Sequence, residues 1–388
     1  MVRLGVETLA EEADGREFGG RIGLITNPSG VTGDLTPTID LLHASDRYDL
    51  EVLFAPQHGL RGNVQGELDR SRSVDERTGL PVRILSDQSE ARIRESFADV
   101  DVLIYDMQDI GCRFYTLVNT LAIALREAAA TGTRLVILDR PNPIAPVAPE
   151  GNTVPPFGTP SLDRFDLPIT HGLTVGELAR YFNVEFDVGG DLEVIGLDGW
   201  DRDTWYDETD LPWVHPSPNM PTLQTALLYP GTCFFESTNL SEGRGTTKPF
   251  ELVGAPWIDG EDWAATLNDY DLSGVAFRPA HFTPMFSKHE RKDIEGVQVH
   301  ILDRDELDPV ALGITMLVST FDSHEESEWL PYNGGYFVDR LAGGSYLRKT
   351  IDNSGDGVTP VHLAEGIREY WSDDLAAYMD VYDEYRLY

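Results

Sequence analysis

Cysteine and lysine are scarce in this chain. Cys112 and Cys233 are the only cysteines among 388 residues, too few for a disulfide framework or a four-cysteine zinc site. The lysines are Lys248, Lys288, Lys292 and Lys349 alone, and 30 Lys+Arg against 66 Asp+Glu give a formal net charge of -36. A surface without a basic footprint repels polyanions, so neither nucleic acid nor an anionic membrane is expected as a partner. No apolar run approaches the roughly 20 residues that span a bilayer. Met1 to Asn27 has no basic segment leading into an apolar one, so no export signal is read and a cytoplasmic location is expected. No G-x-G-x-x-G follows the first candidate strand, and no G-x-x-x-x-G-K-[ST] occurs anywhere, which argues against nucleotide binding. There is no G-x-S-x-G nucleophile elbow, and the histidines form no H-x-x-x-H or H-x-H pair, so no metal and no cofactor are expected.

Hydrophobic residues make up 41% and aromatics 10%, enough apolar material for a packed core. The length exceeds what one core usually serves, and two domains are expected, over 1–160 and 161–388. Acidic side chains run along the whole chain, a pattern suited to concentrated salt, where self-repulsion is screened within a few ångströms. The first third alternates β-branched runs with amphipathic stretches. It predicts strands over Arg21–Thr26, Leu50–Ala55, Val82–Leu85, Asp101–Met107 and Arg134–Asp139, with helices over Pro37–Ala44, Ser89–Ala98 and Phe114–Ala130. This is the α/β pattern of a Rossmann-like open parallel sheet. The rest reads as a smaller α+β domain. Its expected strands are Leu192–Leu197, Val275–Phe277 and Gly296–Leu302, and its expected helices lie around Thr174–Asn183, Asp262–Leu267, Pro309–Phe321 and Val361–Met379.

Ligands of open parallel sheets sit beyond the carboxyl ends of the strands, where this chain concentrates polar residues. Gln57, His58, Arg61 and Glu67 follow the second strand, Asp106, Asp109, Arg113 and Tyr115 the fourth, and Arg140 and Asn142 the fifth. A second concentration runs from His215 to Met220, including Asn219, and from Phe235 to Glu251, including Glu236, Asn239, Glu242, Arg244, Thr246 and Lys248. Small residues interleaved with charged ones suit a polar ligand such as a sugar. A glycine-rich turn whose charges pair with one another has the same pattern, and the spacing alone leaves both readings open.

The stretches PQHGLRGNVQGE, DVLIYDMQDIGCRFYT, LDRPNP, LPITHGLTVGELA, PSPNMPTLQTALLYPGTCFFESTNLSEGRGTTKPFELVGAPW and FRPAHFTPMFSKH resemble, in order, the motifs of the exo-acting β-N-acetylmuramidase family, formerly a domain of unknown function. The resemblance covers nearly the whole chain. It implies a Rossmann-like domain joined to a smaller one, a site in the cleft between them, and release of N-acetylmuramic acid from the non-reducing end of peptidoglycan-derived chains.

Glycoside hydrolysis needs an acid for the leaving oxygen and a carboxylate, or the substrate's acetamido group, to support the anomeric carbon. Glu236 is the favoured catalytic carboxylate, with Glu67, Gln57, His58 and Asp109 as candidates opposite it. Asp106 and Asp109 also fit a structural reading, since carboxylates after a strand commonly cap the next helix or hold an Arg. The family typically reads Pro-Glu-His-Gly where this chain has Pro56-Gln57-His58-Gly59, and an amide cannot exchange a proton as a carboxylic acid does. The lactyl carboxylate of muramic acid calls for cations. Arg244 and Lys248 are the first candidates, with Arg61 and Arg113 behind them. Asp106, Tyr115, Asn219, Asn239, Glu242 and Thr246 complete the expected sugar contacts. Two rival readings stay open: a carbohydrate-binding or regulatory protein that kept the cleft and lost turnover, and a glycosidase for a different acidic amino sugar.

Overall fold

The structure, a computed structural model, describes residues 2–11, 18–57, 59–60, 74–155, 165–355 and 357–388. Strands β1 (Arg21–Thr26), β2 (Asp49–Ala55), β3 (Val82–Ile84), β4 (Val102–Asp106), β5 (Arg134–Leu138) and β6 (Leu192–Ile195) form one parallel sheet in the order β3-β2-β1-β4-β5-β6. The order reverses between β1 and β4, which opens a crevice at their carboxyl ends.

Alternation along the strands feeds two cores. In β4, Val102 and Ile104 join Leu24 and Leu138 under α1 (Gly5–Glu11) and α2 (Thr38–His43). Leu103 and Tyr105 point the other way. They join Phe54 and Ile137 under α3 (Glu90–Phe97), α4 (Thr116–Thr131) and α5 (Val175–Glu185). With both faces covered, β4 is buried at every residue, which is why its sequence is a continuous apolar run.

β6 closes one edge of this sheet. Leu192–Ile195 hydrogen-bonds in parallel to Leu135–Leu138, so the segment expected to belong to the second domain returns to the first sheet. The smaller region begins with α6 (Leu223–Thr232) and β7 (Leu252–Ala255), both absent from the expected elements. It continues through α7 (Gly260–Asp269), β8 (Val275–Phe282), β9 (Ile294–Ile301) and α8 (Pro309–Ser323), with β7-β9-β8 as an antiparallel sheet. A β10–β11 hairpin (Pro331–Tyr332, Gly335–Tyr336), α9 (Phe337–Leu341), α10 (Tyr346–Asp352) and α11 (Pro360–Tyr385) follow.

Pro230 and Gly231 inside α6 mask its helical signal. Gly231 is needed because α6 meets α8 backbone to backbone: a Cβ there would lie 2.0 Å from the Pro309 carbonyl oxygen. From α11, Tyr378 and Tyr382 donate their hydroxyls to the carbonyls of His171 and Gly172 at 2.6 and 3.0 Å, so the last long helix is tied back to the first region. Among the described residues no helix is long and apolar enough to cross a membrane.

Candidate active site

The sheet-edge loops and the segment from Pro216 to Phe250 meet at the β1/β4 crevice. Asn27, just after β1, donates from Nδ2 to the Pro216 carbonyl at 3.0 Å. Its Oδ1 accepts from the Ser29 amide at 2.9 Å, and Ser29 Oγ accepts from the Gln108 amide at 2.9 Å. Further along the β4–α4 loop, Phe114 packs edge-on against Phe234 at 5.2 Å between centroids, and Tyr115 against Tyr229 at 6.1 Å. The Tyr115 hydroxyl is pushed well up by burial. Ser217 and Arg244 pull its pKa down and Asp109 raises it further, so this one phenol lies within electrostatic reach of both walls.

Glu236 lies on the 3-10 turn Cys233–Ser237 that prolongs α6. Pro230 withholds an amide from the helical ladder, and the end of the helix tightens into this turn. Oε1 of Glu236 accepts from Arg244 Nε at 2.9 Å and from a second guanidinium nitrogen in a closer contact. Among the described residues, Oε2 faces the Cys233 thiol, at 3.5 Å. Glu242, 2% exposed, pairs through Oε1 with Arg244 Nε at 3.3 Å and through Oε2 with Lys288 Nζ at 2.7 Å. Burial opposes the Arg244 charge, yet Glu236 and Glu242 outweigh it and raise the guanidinium pKa. Lys248 Nζ pairs with Glu251 Oε2 at 2.8 Å, and the Thr225 hydroxyl donates to Glu251 Oε1 at 3.0 Å. Glu236, Glu242 and Glu251 are thus matched by Arg244, Lys288 and Lys248.

Several of the expected contact residues are already bonded within the protein. Asp106 is fully buried and held by Arg140, with Nε to Oδ1 at 2.5 Å and Nη2 to Oδ2 at 3.0 Å, and by the Thr38 hydroxyl. It joins β4 to the β5 loop and leaves no oxygen for a sugar. Arg113, 1% exposed, donates to the carbonyls of Leu167 at 2.7 Å, Leu341 at 3.0 Å and Asn152. Burial lowers its pKa to about 9, and it braces backbone instead of reading an anion. Asn239 uses its side chain on the Glu326 carbonyl and the Glu328 amide at 2.8 and 3.0 Å. Thr246 closes its own turn on the Gly243 carbonyl at 2.6 Å. Glu242 is spent on its two cations.

Gln57 is exposed in the turn after β2, and Asn219 is half-buried in the turn after Pro216. His58, Arg61 and Glu67 lie outside the described residues. Asp109 is 6% exposed; its Oδ2 accepts from the Gly111 amide at 2.7 Å and from His171 Nε2 at 3.1 Å, while Oδ1 has no partner. His171 Nδ1 accepts from the Leu173 amide at 3.2 Å, which leaves the Nε2 hydrogen for Asp109. His171 and Lys288 were not among the expected site residues, although both fall in quoted stretches. The rarity of lysine was the available signal for Lys288.

Comparison with known proteins decides the family. The N-terminal model of the exo-beta-N-acetylmuramidase NamZ family matches residues 22–224, and its C-terminal model matches residues 227–388. The chain belongs to the NamZ family. The two matches adjoin at the start of α6. It is 41% identical over 352 residues to the peptidoglycan beta-N-acetylmuramidase NamZ of Bacillus subtilis, covering 91% of this chain and 84% of that protein. Two crystal structures of DUF1343 family proteins from Bacteroides fragilis share the fold. One has a TM-score of 0.86 at 32% identity and the other 0.73 at 27%, each match covering 100% of this chain and 99% of that one.

Proposed function

We propose that this NamZ-family chain hydrolyses the β-glycosidic bond of a terminal N-acetylmuramic acid residue, releasing that sugar from the non-reducing end of peptidoglycan-derived chains. The observation that carries this reading is the match of both family models along one continuous chain, supported by the named activity of the Bacillus relative.

Glu236 is the catalytic carboxylate in this reading. Arg244 occupies Oε1, so Oε2 is the oxygen left to support positive charge at the anomeric carbon or to take a proton. Lys248 is the best-placed reader of the lactyl carboxylate. Its side chain is 39% exposed, and its ammonium has three donors, of which Glu251 takes one. Asp109, whose buried Oδ1 has no partner among the described residues, serves the opposite wall. The reaction is expected to take place in the cytoplasm at high salt, a setting supported by the net charge of -36 and by two buried free thiols.

Gln57 favours a second reading, binding without turnover, because it replaces the acid typical of the family. Assaying 4-nitrophenyl β-N-acetylmuramide in concentrated salt separates the two. Nitrophenol release by wild type supports hydrolysis; an inert wild type whose Gln57→Glu variant gains turnover supports binding alone.

A further inference from the structure

The connection between β8 and β9 contains Phe286-Ser287-Lys288-His289, and the functional reading above assigns these residues no role. We propose that Lys288 is a positioning residue for the Glu236–Arg244–Glu242 network and that this connection is the brace that delivers it. The proposal rests on the hydrolase reading and deepens it.

Lys288 Nζ donates to the carbonyls of Phe235 at 2.6 Å and Thr238 at 2.9 Å, and it pairs with Glu242 Oε2 at 2.7 Å. Two of the ammonium donors are taken by carbonyls, and the charge stands against the buried Glu242 carboxylate. Phe235 immediately precedes Glu236, and Glu242 shares Arg244 with Glu236. One cation therefore fixes the backbone of the turn that carries Glu236 and balances the acid that competes for its guanidinium. Lys288 is one of only four lysines in the chain, and its side chain is 19% exposed.

The backbone around it is held in a conformation that side chains disfavour. Ser287, His289 and Arg291 have φ of 72°, 56° and 58°, left-handed values that persist when the surroundings over-determine them. The surroundings do so at both ends of the catalytic segment. His289 Nε2 donates to the Asn239 carbonyl at 2.7 Å, and its ring stands edge-on to Trp257 at 5.5 Å. The Met285 amide donates to the Gly245 carbonyl at 2.9 Å. Gly245 has φ +82°, and a Cβ there would lie 2.6 Å from the Phe286 carbonyl oxygen, so only glycine admits this approach.

Removing the ammonium leaves Glu242 with Arg244 as its one cation, which draws the guanidinium off Glu236. In the nitrophenyl assay, Lys288→Met is expected to lower kcat about 10–100-fold with KM changed less than about 2-fold, as small misplacements of reacting groups do. The acid limb of the kcat profile moves to higher pH, because a carboxylate that loses a neighbouring cation holds its proton more tightly. Adding Glu242→Gln removes the unbalanced acid and should recover about tenfold of the loss. Lys288→Arg, which keeps the charge, covers the case in which Lys288→Met does not fold; it is expected to retain the wild-type acid limb at reduced kcat. Wild-type kcat and pH profile in Lys288→Met, or no recovery in the double variant, would overturn the positioning role. An inert wild type would instead defeat the hydrolase reading. In that case the crystal structure of Lys288→Met still decides the brace: Arg244 is expected to shift from Glu236 toward Glu242, and an unmoved pair refutes it.

Discussion

Arg244 grips a single oxygen of Glu236, donating from Nε at 2.9 Å and from Nη2, and among the described residues leaves Oε2 with a thiol for company. The guanidinium fork thereby orients the carboxylate. Lysine cannot reproduce the two donors. Arg244→Lys is expected to lower kcat about 100-fold or more, on the scale of losing one preorganised donor, while the melting temperature changes little. Steady-state kinetics beside thermal unfolding checks this.

Asp139 sets a pH dependence of stability. Burial, reinforced by Glu177, pushes its carboxyl up to about 7, against bonds from the Gly176 amide and the Thr174 and Tyr388 hydroxyls. The unfolded carboxyl titrates near about 3.9. Between these values the folded chain keeps a proton that the unfolded chain releases. The contribution is therefore fully present below about pH 4 and is lost as pH rises through about 7. Asp139→Asn fixes the neutral form. Its melting temperature relative to wild type is expected to climb from about pH 5 to about pH 8; a flat difference counts against the assignment.

Arg113 joins three stretches of backbone through the carbonyls of Asn152, Leu167 and Leu341. Arg113→Met strands those acceptors and is expected to cost about 3 kcal/mol or more of stability. Urea unfolding measures it. In the fraction that folds, KM should stay at the wild-type value, because the side chain does not reach the crevice.

The fold was more legible in the sequence than the site. β1, β4 and β5 were readable because strands covered on both faces are nearly continuous apolar runs bounded by turn residues. β6 was read as a strand, but its pairing with β5 was not legible, since pairing partners leave no local trace in a four-residue edge strand. α6 was missed because Pro230 and Gly231 punctuate it, although the first opens the way to the turn bearing Glu236 and the second permits contact with α8. For the site, the polar loops named in the sequence lie at the carboxyl ends of the strands. Which charges face one another was not legible: Arg113 and Arg244 look alike in sequence, yet one binds carbonyls and the other binds Glu236.

Self-repulsion at a net charge of -36 should make stability depend steeply on salt. The Debye length falls from about 10 Å at 0.1 M to about 3 Å at 1 M, so the melting temperature in potassium chloride is expected to rise across that range. A melting temperature independent of salt would contradict the inferred high-salt setting.

The most direct measurement is release of N-acetylmuramic acid from a muramyl-terminated peptidoglycan fragment by wild type and by Glu236→Gln at equal folded concentration. Wild type should release the sugar, and the variant should be slower by about 100- to 10,000-fold. Equal rates in the two proteins would contradict the role given to Glu236.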